Sequence, residues 1–216
     1  NIGVYSLSEN RLIYKFNFYK KKFKNIKKNI QILINNNFII AADNLGYIYC
    51  LDYKNNKLVW AKNMLIPFRS NLKRYKNILF LSDEKNKIIS IDLKDGKKID
   101  ELYTQPAKTV SSFQSNFALD KNNNLLFLST SGSLYSLNLI NKKIINWIQN
   151  FNLNNDITFN SSPIIVSDNT IILATKDQIA AVTTNGRRLW DLDLSSKVSP
   201  VVSGNTVVTI TKNNYI

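Results

Sequence analysis

The feature that most constrains this chain is a short sequence unit that recurs along its length. Its clearest copy runs from Phe38 to Trp60 and reads FIIAADNLGYIYCLDYKNNKLVW, which is three apolar or aromatic runs separated by two polar turns. The first turn ends in Gly46, which can adopt positive φ, and the second contains Asp and Asn, whose side chains can bond their own backbone. We therefore predict three strands and two tight turns here.

The second half of this unit, two strands joined by a turn, occurs five times and begins a sixth time. Counted from Gly3, Gly46, Lys87, Gly132 and Asp177, successive copies are 43, 41, 45 and 45 residues apart. An apolar strand precedes every copy from the second onward, and a less regular strand lies further upstream. The copies are 3–14, 46–60, 87–102, 132–147 and 177–190, with a truncated one from 205.

Four strands in a unit of this length, without helical periodicity, predict an all-β fold of the β-propeller type. The apolar runs are nearly continuous, which favours sheets buried on both faces. A β-sandwich or barrel with coincidentally regular turns is the alternative. We expect one partial propeller domain over 1–216 that starts and ends mid-blade, with about four to five blades. It could close as a small ring or form part of a longer one.

Composition excludes several classes of site. The chain has no histidine, which removes Ser-His-Asp and Cys-His nucleophiles and most zinc sites. Cys50 is the only cysteine, so no intrachain disulfide or cysteine-based metal cluster can form, and we expect a buried thiol. We expect no cofactor and no metal. No membrane-spanning apolar run exists, and the absence of an initiating Met and of a signal-peptide pattern suggests a fragment or a processed form.

The formal net charge of +14 is spread over turns and strands, so we interpret it mainly as solvated surface. The densest basic stretch, 20–28, contains Phe23 among its lysines and is typical of an exposed loop. The alternative is a propeller that binds nucleic acid or another polyanion, which would show steep salt dependence.

The copies resemble the PQQ-type propeller repeat, whose consensus is a Gly-x-Leu-Tyr-Ala-Leu-Asp strand, a Thr-Gly-Lys turn and a strand ending in Trp. GYIYCLDYKNNKLVW and GSLYSLNLINKKIINW match it well, although the third copy has Lys87 for the glycine and lacks the Trp. The resemblance implies four-stranded blades of the eight-bladed class. It also implies that the aromatic residue ending each blade docks on the next blade. These residues are Tyr14, Trp60, Trp147 and Trp190.

One class with this fold is the quinoprotein dehydrogenases, which hold calcium through Asp, Glu and Asn, use an Asp base and carry two adjacent cysteines over the quinone. Here Cys50 stands alone. Asp52 and Asp92 occupy turn positions of the repeat, and Asp83 and Glu84 lie in a hairpin. We therefore predict that the protein is not an enzyme, with the dehydrogenase as the alternative.

The chain also resembles the BamB family, non-catalytic propellers of the bacterial machine that assembles outer-membrane β-barrels. The resemblance implies that Phe68 and Arg69, an apolar residue beside a guanidinium, contact the periplasmic domains of the barrel protein BamA. Asn71 and Phe113 would extend this site along the same rim. Alternatively, Phe68 packs under its own blade and Arg69 is solvated. The family also implies a monomer at the periplasmic face of the outer membrane, with any lipid anchor outside this chain.

Overall fold

The computed structural model describes residues 1–19, 25–107, 109, 114–140, 144–152, 157, 159–196, 198–211 and 213. Within these ranges the chain forms twenty strands and no helix. The strands are β1 Ile2–Ser6, β2 Arg11–Phe16, β3 Ile30–Asn35, β4 Phe38–Asp43, β5 Tyr47–Asp52, β6 Lys57–Asn63, β7 Lys73–Tyr75, β8 Ile78–Ser82, β9 Ile88–Asp92, β10 Lys98–Leu102, β11 Asn116–Leu119, β12 Asn124–Leu128, β13 Ser133–Asn138, β14 Ile144–Asn150, β15 Ile165–Ser167, β16 Thr170–Ala174, β17 Ile179–Thr183, β18 Arg188–Leu192, β19 Val201–Ser203 and β20 Thr206–Val208.

These strands form successive antiparallel sheets in chain order, which we call blades 1 to 6. Blades 2, 3, 4 and 5 have four strands each, β3–β6, β7–β10, β11–β14 and β15–β18. Blade 1 is the pair β1–β2, and blade 6 is the pair β19–β20. The first strands of neighbouring blades lie side by side, since β11 contacts both β7 and β15. This arrangement confirms the predicted all-β propeller architecture.

The hydrophobic core lies between blades rather than within one sandwich. Consecutive residues of β8 show why, because Leu79 and Leu81 pack toward blade 2 whereas Phe80 packs toward blade 4. All three side chains are fully buried. Side chains on a strand alternate between the two faces of the sheet, and both faces are covered here. This explains the nearly continuous apolar runs in the sequence.

One detail of the sixth copy differs from the prediction. The segment from Asn205 was expected to begin the second half of a unit, the hairpin that ends in an aromatic residue. Instead β20 pairs with β19 as the second strand of its blade, like β16 in blade 5. The apolar pattern alone does not distinguish the second strand of a blade from the third.

A register shift recurs beside the aromatic position at the end of each blade. In blades 1, 2, 4 and 5 the outermost strand carries one extra, unpaired residue, which immediately precedes Tyr14, Trp60, Trp147 and Trp190, respectively. In blade 3 the same position is held by Asp100. Such a bulge bends the outer hairpin locally. The third repeat therefore keeps the register shift of the motif, with Asp100 in place of the aromatic residue.

Trp60 and Trp147 each contact the following blade in the same way. The indole N–H of Trp60 donates to the carbonyl of Leu93 at 2.9 Å, and that of Trp147 donates to Thr184 at 2.9 Å. A Cβ added to Gly96, in the turn of blade 3, would lie 2.6 Å from the Trp60 ring. Each ring thus lies against the turn between the third and fourth strands of the next blade.

Tyr14 and Trp190 are placed differently from this pair. Tyr14 is buried against blade 2, and its hydroxyl has no hydrogen-bond partner among the described residues. Trp190 is 37% exposed. The described part of blade 6 contains only its first two strands, so it does not include the turn between third and fourth strands against which the Trp190 ring would lie.

Candidate functional site

The antiparallel order of the strands divides the turns of the molecule between two faces. In a four-stranded blade, the turn between the second and third strands opens on the same face as the connection to the next blade. We call this the connection face. The turns between the first and second strands, and between the third and fourth, open on the opposite face. The predicted residues Phe68, Arg69 and Asn71 belong to the connection between blades 2 and 3.

A short polar residue at the end of the second strand caps each turn on the connection face. The Oδ1 atoms of Asp43 and Asp83 each accept two backbone N–H groups, from two and four residues further on, all at 2.9 Å. Ser129 and Thr175 hold this position in blades 4 and 5 through their hydroxyl groups. The four side chains are buried. They are backbone caps of the kind that Asp, Ser and Thr favour.

The glycine of these turns lets the next connection pack directly on the backbone. Gly46 has a φ of 86°, and a Cβ there would lie 2.8 Å from the carbonyl oxygen of Ile66. In blade 3 the left-handed position is held by Asn86, with a φ of 68°. The alignment of Lys87 with this glycine was therefore wrong by one residue. Asn tolerates the left-handed region better than most residues do.

Phe68 is part of the core rather than an exposed anchor. Its side chain is 5% exposed and belongs to the apolar cluster between blades 2 and 3, together with Trp60 and Leu72. Its backbone forms an isolated bridge with Asp83. The prediction that the Phe68 ring reaches a partner protein is corrected by this burial. The sequence alone does not distinguish a Phe68 ring that packs between blades from one that reaches a partner, because both would be an apolar residue within the connection.

Arg69 and Asn71 have different surroundings. Arg69 is half-buried, and its Nε is enclosed without a hydrogen-bond partner among the described residues. Asn71 uses both ends of its amide on the next blade, since its Oδ1 accepts from Phe117 N at 2.7 Å and its Nδ2 donates to Phe117 O at 3.0 Å. Asn71 therefore links blades 3 and 4. Phe113, the fourth predicted residue, lies outside the described residues.

Four connections each present an exposed apolar residue that sequence reasoning missed. They are Leu65, Tyr103, Ile157 and Val198. Leu65 is 83% exposed and has a φ of 59°, an unusual backbone conformation for a bulky residue. Its N–H donates to Asn63 Oδ1 at 2.9 Å, which stabilises the turn. No sequence signal distinguishes Leu65 from its apolar neighbours.

Charged side chains surround Tyr103. Lys87 Nζ lies 3.1 Å from Glu101 Oε2 and 5.4 Å from the centre of the Tyr103 ring. Lys98 Nζ lies 2.7 Å from Glu101 Oε1. Hydrogen bonds from Lys98 and then Lys87 lower the pKa of Glu101 to about 2. The ring therefore lies beside an ion-pair network rather than on a purely apolar surface.

Comparison with known proteins identifies the family of this chain. The family model of the outer membrane protein assembly factor BamB matches residues 23–216. The chain belongs to the BamB family. Among curated proteins, none matches it.

Two solved structures show the same fold at low sequence identity. BamB from Moraxella catarrhalis superposes with a TM-score of 0.70 and 16% identity over 86% of this chain and 58% of its own. The computationally designed protein Ika8 superposes with a TM-score of 0.72 and 12% identity over 98% of this chain and 62% of its own. The chain thus spans about three fifths of each of these structures.

In this BamB-family chain, Asp52 and Asp92, which the sequence places at turn positions of the repeat, cap their turns. Asp52 Oδ1 accepts from the N–H groups of Lys54 and Asn55, and Asp92 Oδ1 accepts from Lys94 N at 2.7 Å. Among the residues that the structure describes, no three Asp, Glu, Cys or His side chains form a group that could hold a metal ion. Within the same ranges, no helix is long and apolar enough to cross a membrane.

The predicted buried thiol is confirmed. Cys50 lies in the cluster between blades 2 and 3, and burial together with the nearby Asp52 raises the pKa of its thiol to about 11.

The basic stretch 20–28 falls largely outside the described residues. Lys28, at its end, donates from Nζ to Ile26 O at 2.6 Å and lies 5.0 Å from the Tyr19 ring centre.

Proposed function

We propose that this BamB-family chain is a non-catalytic scaffold that binds a protein partner through its connection face during assembly of outer-membrane β-barrels. The proposal further names the partner as the periplasmic domains of a BamA-like protein. Its location would then be the periplasmic face of the outer membrane. Membership of the family supports the scaffold role.

The observation that carries the proposal is the row of exposed apolar residues on the connections. Leu65, Tyr103, Ile157 and Val198 come from four different connections, which all open on the connection face. Arg69 follows Leu65 by four residues in the same connection, and its Nε lacks a partner among the described residues. Arg and Tyr are enriched at interface hot spots, and the exposed apolar residues of the connections add contact area around them. Leu65 with Arg69 thus takes the place of the predicted pair Phe68 and Arg69.

The roles of the acidic residues also support a scaffold over the dehydrogenase alternative. Asp43, Asp83 and Asp120 each accept backbone N–H groups of their own turns and are buried. These carboxylates hold turns in place, which is a structural role. Cys50 is buried between blades and its thiol stays protonated at neutral pH.

Binding of BamA periplasmic domains to the full chain, measured by biolayer interferometry, tests the proposal. We expect the double variant Leu65→Ala with Arg69→Glu to weaken binding about 30-fold or more, the effect of losing one hot spot. The matched control is Leu7→Ala, because Leu7 is 97% exposed and lies in a turn on the opposite face. Leu7→Ala should leave the affinity unchanged.

Two outcomes would reject the proposal. One is equal binding by the double variant and the unchanged chain, with both retaining the circular dichroism of a β-sheet protein. The other is an equal loss of affinity in the Leu7→Ala control, which would indicate adsorption without a defined face.

A further inference from the structure

The outer edge of blade 4 differs from the other outer edges in charge. The outermost strand of every blade from 1 to 5 ends its sheet and exposes an edge. The strands β2, β6, β10 and β18 all contain charged residues, reading RLIYKF, KLVWAKN, KIDEL and RLWDL. The strand β14 reads IINWIQN and contains none. Charges on an edge strand normally prevent another strand from adding to it.

The edge of β14 is also apolar and unpaired. Ile144, Ile145 and Ile148 are exposed, with Ile148 51% exposed. Among the described residues, β14 pairs only with β13. The carbonyl of Asn150, the last residue of the strand, accepts from Arg188 Nη2 of blade 5 at 3.3 Å. The β-bulge leaves Asn146 as an extra residue in this strand. On either side of it, residues 144–145 and 147–149 offer backbone that no described strand covers.

Contacts with blade 5 hold this strand in place. The Trp147 indole N–H donates to Thr184 O at 2.9 Å, and Gln149 Nε2 donates to Gly186 O at 2.8 Å. A strand fixed in this way loses little conformational freedom when another strand adds to it. The edge is thus uncharged, apolar and already ordered.

We propose that β14 accepts an extended apolar strand of another polypeptide, which adds to blade 4 as a fifth strand. Backbone hydrogen bonds along the edge supply binding, and Ile145 and Ile148, which face the same side of the sheet as Leu137 and Tyr135, contact side chains on one face of the added strand. Charge disfavours a second copy of this chain as the source of the added strand, because each copy carries a formal net charge of +14 and the two would repel each other. A neutral or acidic strand meets no such repulsion. This binding surface is separate from the connection face and goes beyond the proposed function.

Fluorescence anisotropy with the full chain tests the proposal. The probe is a labelled synthetic peptide of alternating valine and threonine with a glutamate at each end. We expect saturable binding, weakened about tenfold or more when alternate peptide nitrogens are methylated, because methylation removes the edge hydrogen bonds. Ile148→Lys should weaken binding to a similar extent by charging the edge. Ile99→Lys is the matched control, since Ile99 is 50% exposed on β10, and it should change binding less than twofold.

Several results would overturn the proposal. They are no binding, equal binding of the methylated peptide, or equal effects of Ile148→Lys and Ile99→Lys. A further contrary result is a concentration-dependent dimer in sedimentation that Ile148→Lys abolishes, because the occupant would then be a second copy. Circular dichroism of both variants verifies folding. The proposed binding of BamA domains rests on Leu65 and Arg69, whereas the proposed strand addition rests on β14. Each proposal can therefore fail without the other.

Discussion

The two tryptophans at equivalent repeat positions, Trp60 and Trp190, should contribute very differently to stability. Trp60 is 8% exposed and Trp190 is 37% exposed. For a ring that buries about 150–250 Å² when fully covered, this difference is roughly 60 Å², or about 1.5 kcal/mol at 25 cal/mol per Å². Trp60 also donates a hydrogen bond to Leu93 O, which adds about 1 kcal/mol.

We therefore expect Trp60→Ala to lower the free energy of unfolding by about 2–3 kcal/mol more than Trp190→Ala does. The total cost of Trp60→Ala should lie in the range of about 3–5 kcal/mol known for large-to-small core substitutions. At about 2–4 °C per kcal/mol for a chain of this size, the two midpoints of thermal unfolding should differ by roughly 4–12 °C.

Thermal unfolding followed by far-ultraviolet circular dichroism measures this difference. Trp60→Phe is the matched control, since it retains a ring and removes the N–H donor, and should cost less than Trp60→Ala. Equal midpoints for Trp60→Ala and Trp190→Ala would refute the argument, because the contact with the next blade would then contribute nothing beyond the repeat position itself.

Two further predictions concern blade 3 and its neighbours. Gly96→Ala should destabilise the protein by about 2 kcal/mol or more, since Gly96 has a φ of 72° and its new Cβ would meet the indole of the preceding blade. Gly204→Ala is the control, with a φ of 55° and no atom near the new Cβ, and equal midpoints of denaturation would contradict the prediction. The lowered pKa of Glu101, held by Lys98 and Lys87, contributes stability that is present above the unfolded pKa near 4.5 and lost as pH falls toward about 2. Glu101→Gln should therefore flatten the decline in thermal midpoint over that range, and an unchanged pH profile would show that the ion pairs contribute nothing.

The repeat spacing and turn residues were sufficient to predict the propeller blades. Alternation of side chains and the preferences of Gly, Asn and Asp in turns act over a few residues, so they are visible in sequence. The same local logic failed by one residue at Asn86 and Lys87, because Asn can replace Gly at positive φ. It also assigned β20 to the wrong strand of its blade, since all apolar strands of a blade look similar.

The candidate site depended on contacts between residues distant in sequence. Phe68 and Leu65 are both apolar residues of one connection, but Phe68 packs between blades whereas Leu65 is exposed. Likewise the side chain of Asn71, predicted to contact a partner, forms hydrogen bonds with the backbone of Phe117 in blade 4. Burial of a connection is set by how neighbouring blades stack, and no local preference encodes it.

The sequence by itself determined the repeating unit and the all-β architecture, because both follow from short-range backbone preferences repeated along the chain. Tertiary structure decided which apolar side chains fill the gaps between blades and which remain at the surface. It also distinguished Trp60, whose ring lies against the next blade, from Trp190, whose ring is partly exposed. The physical reason is that the core lies between repeats, so each residue's environment depends on the neighbouring blade.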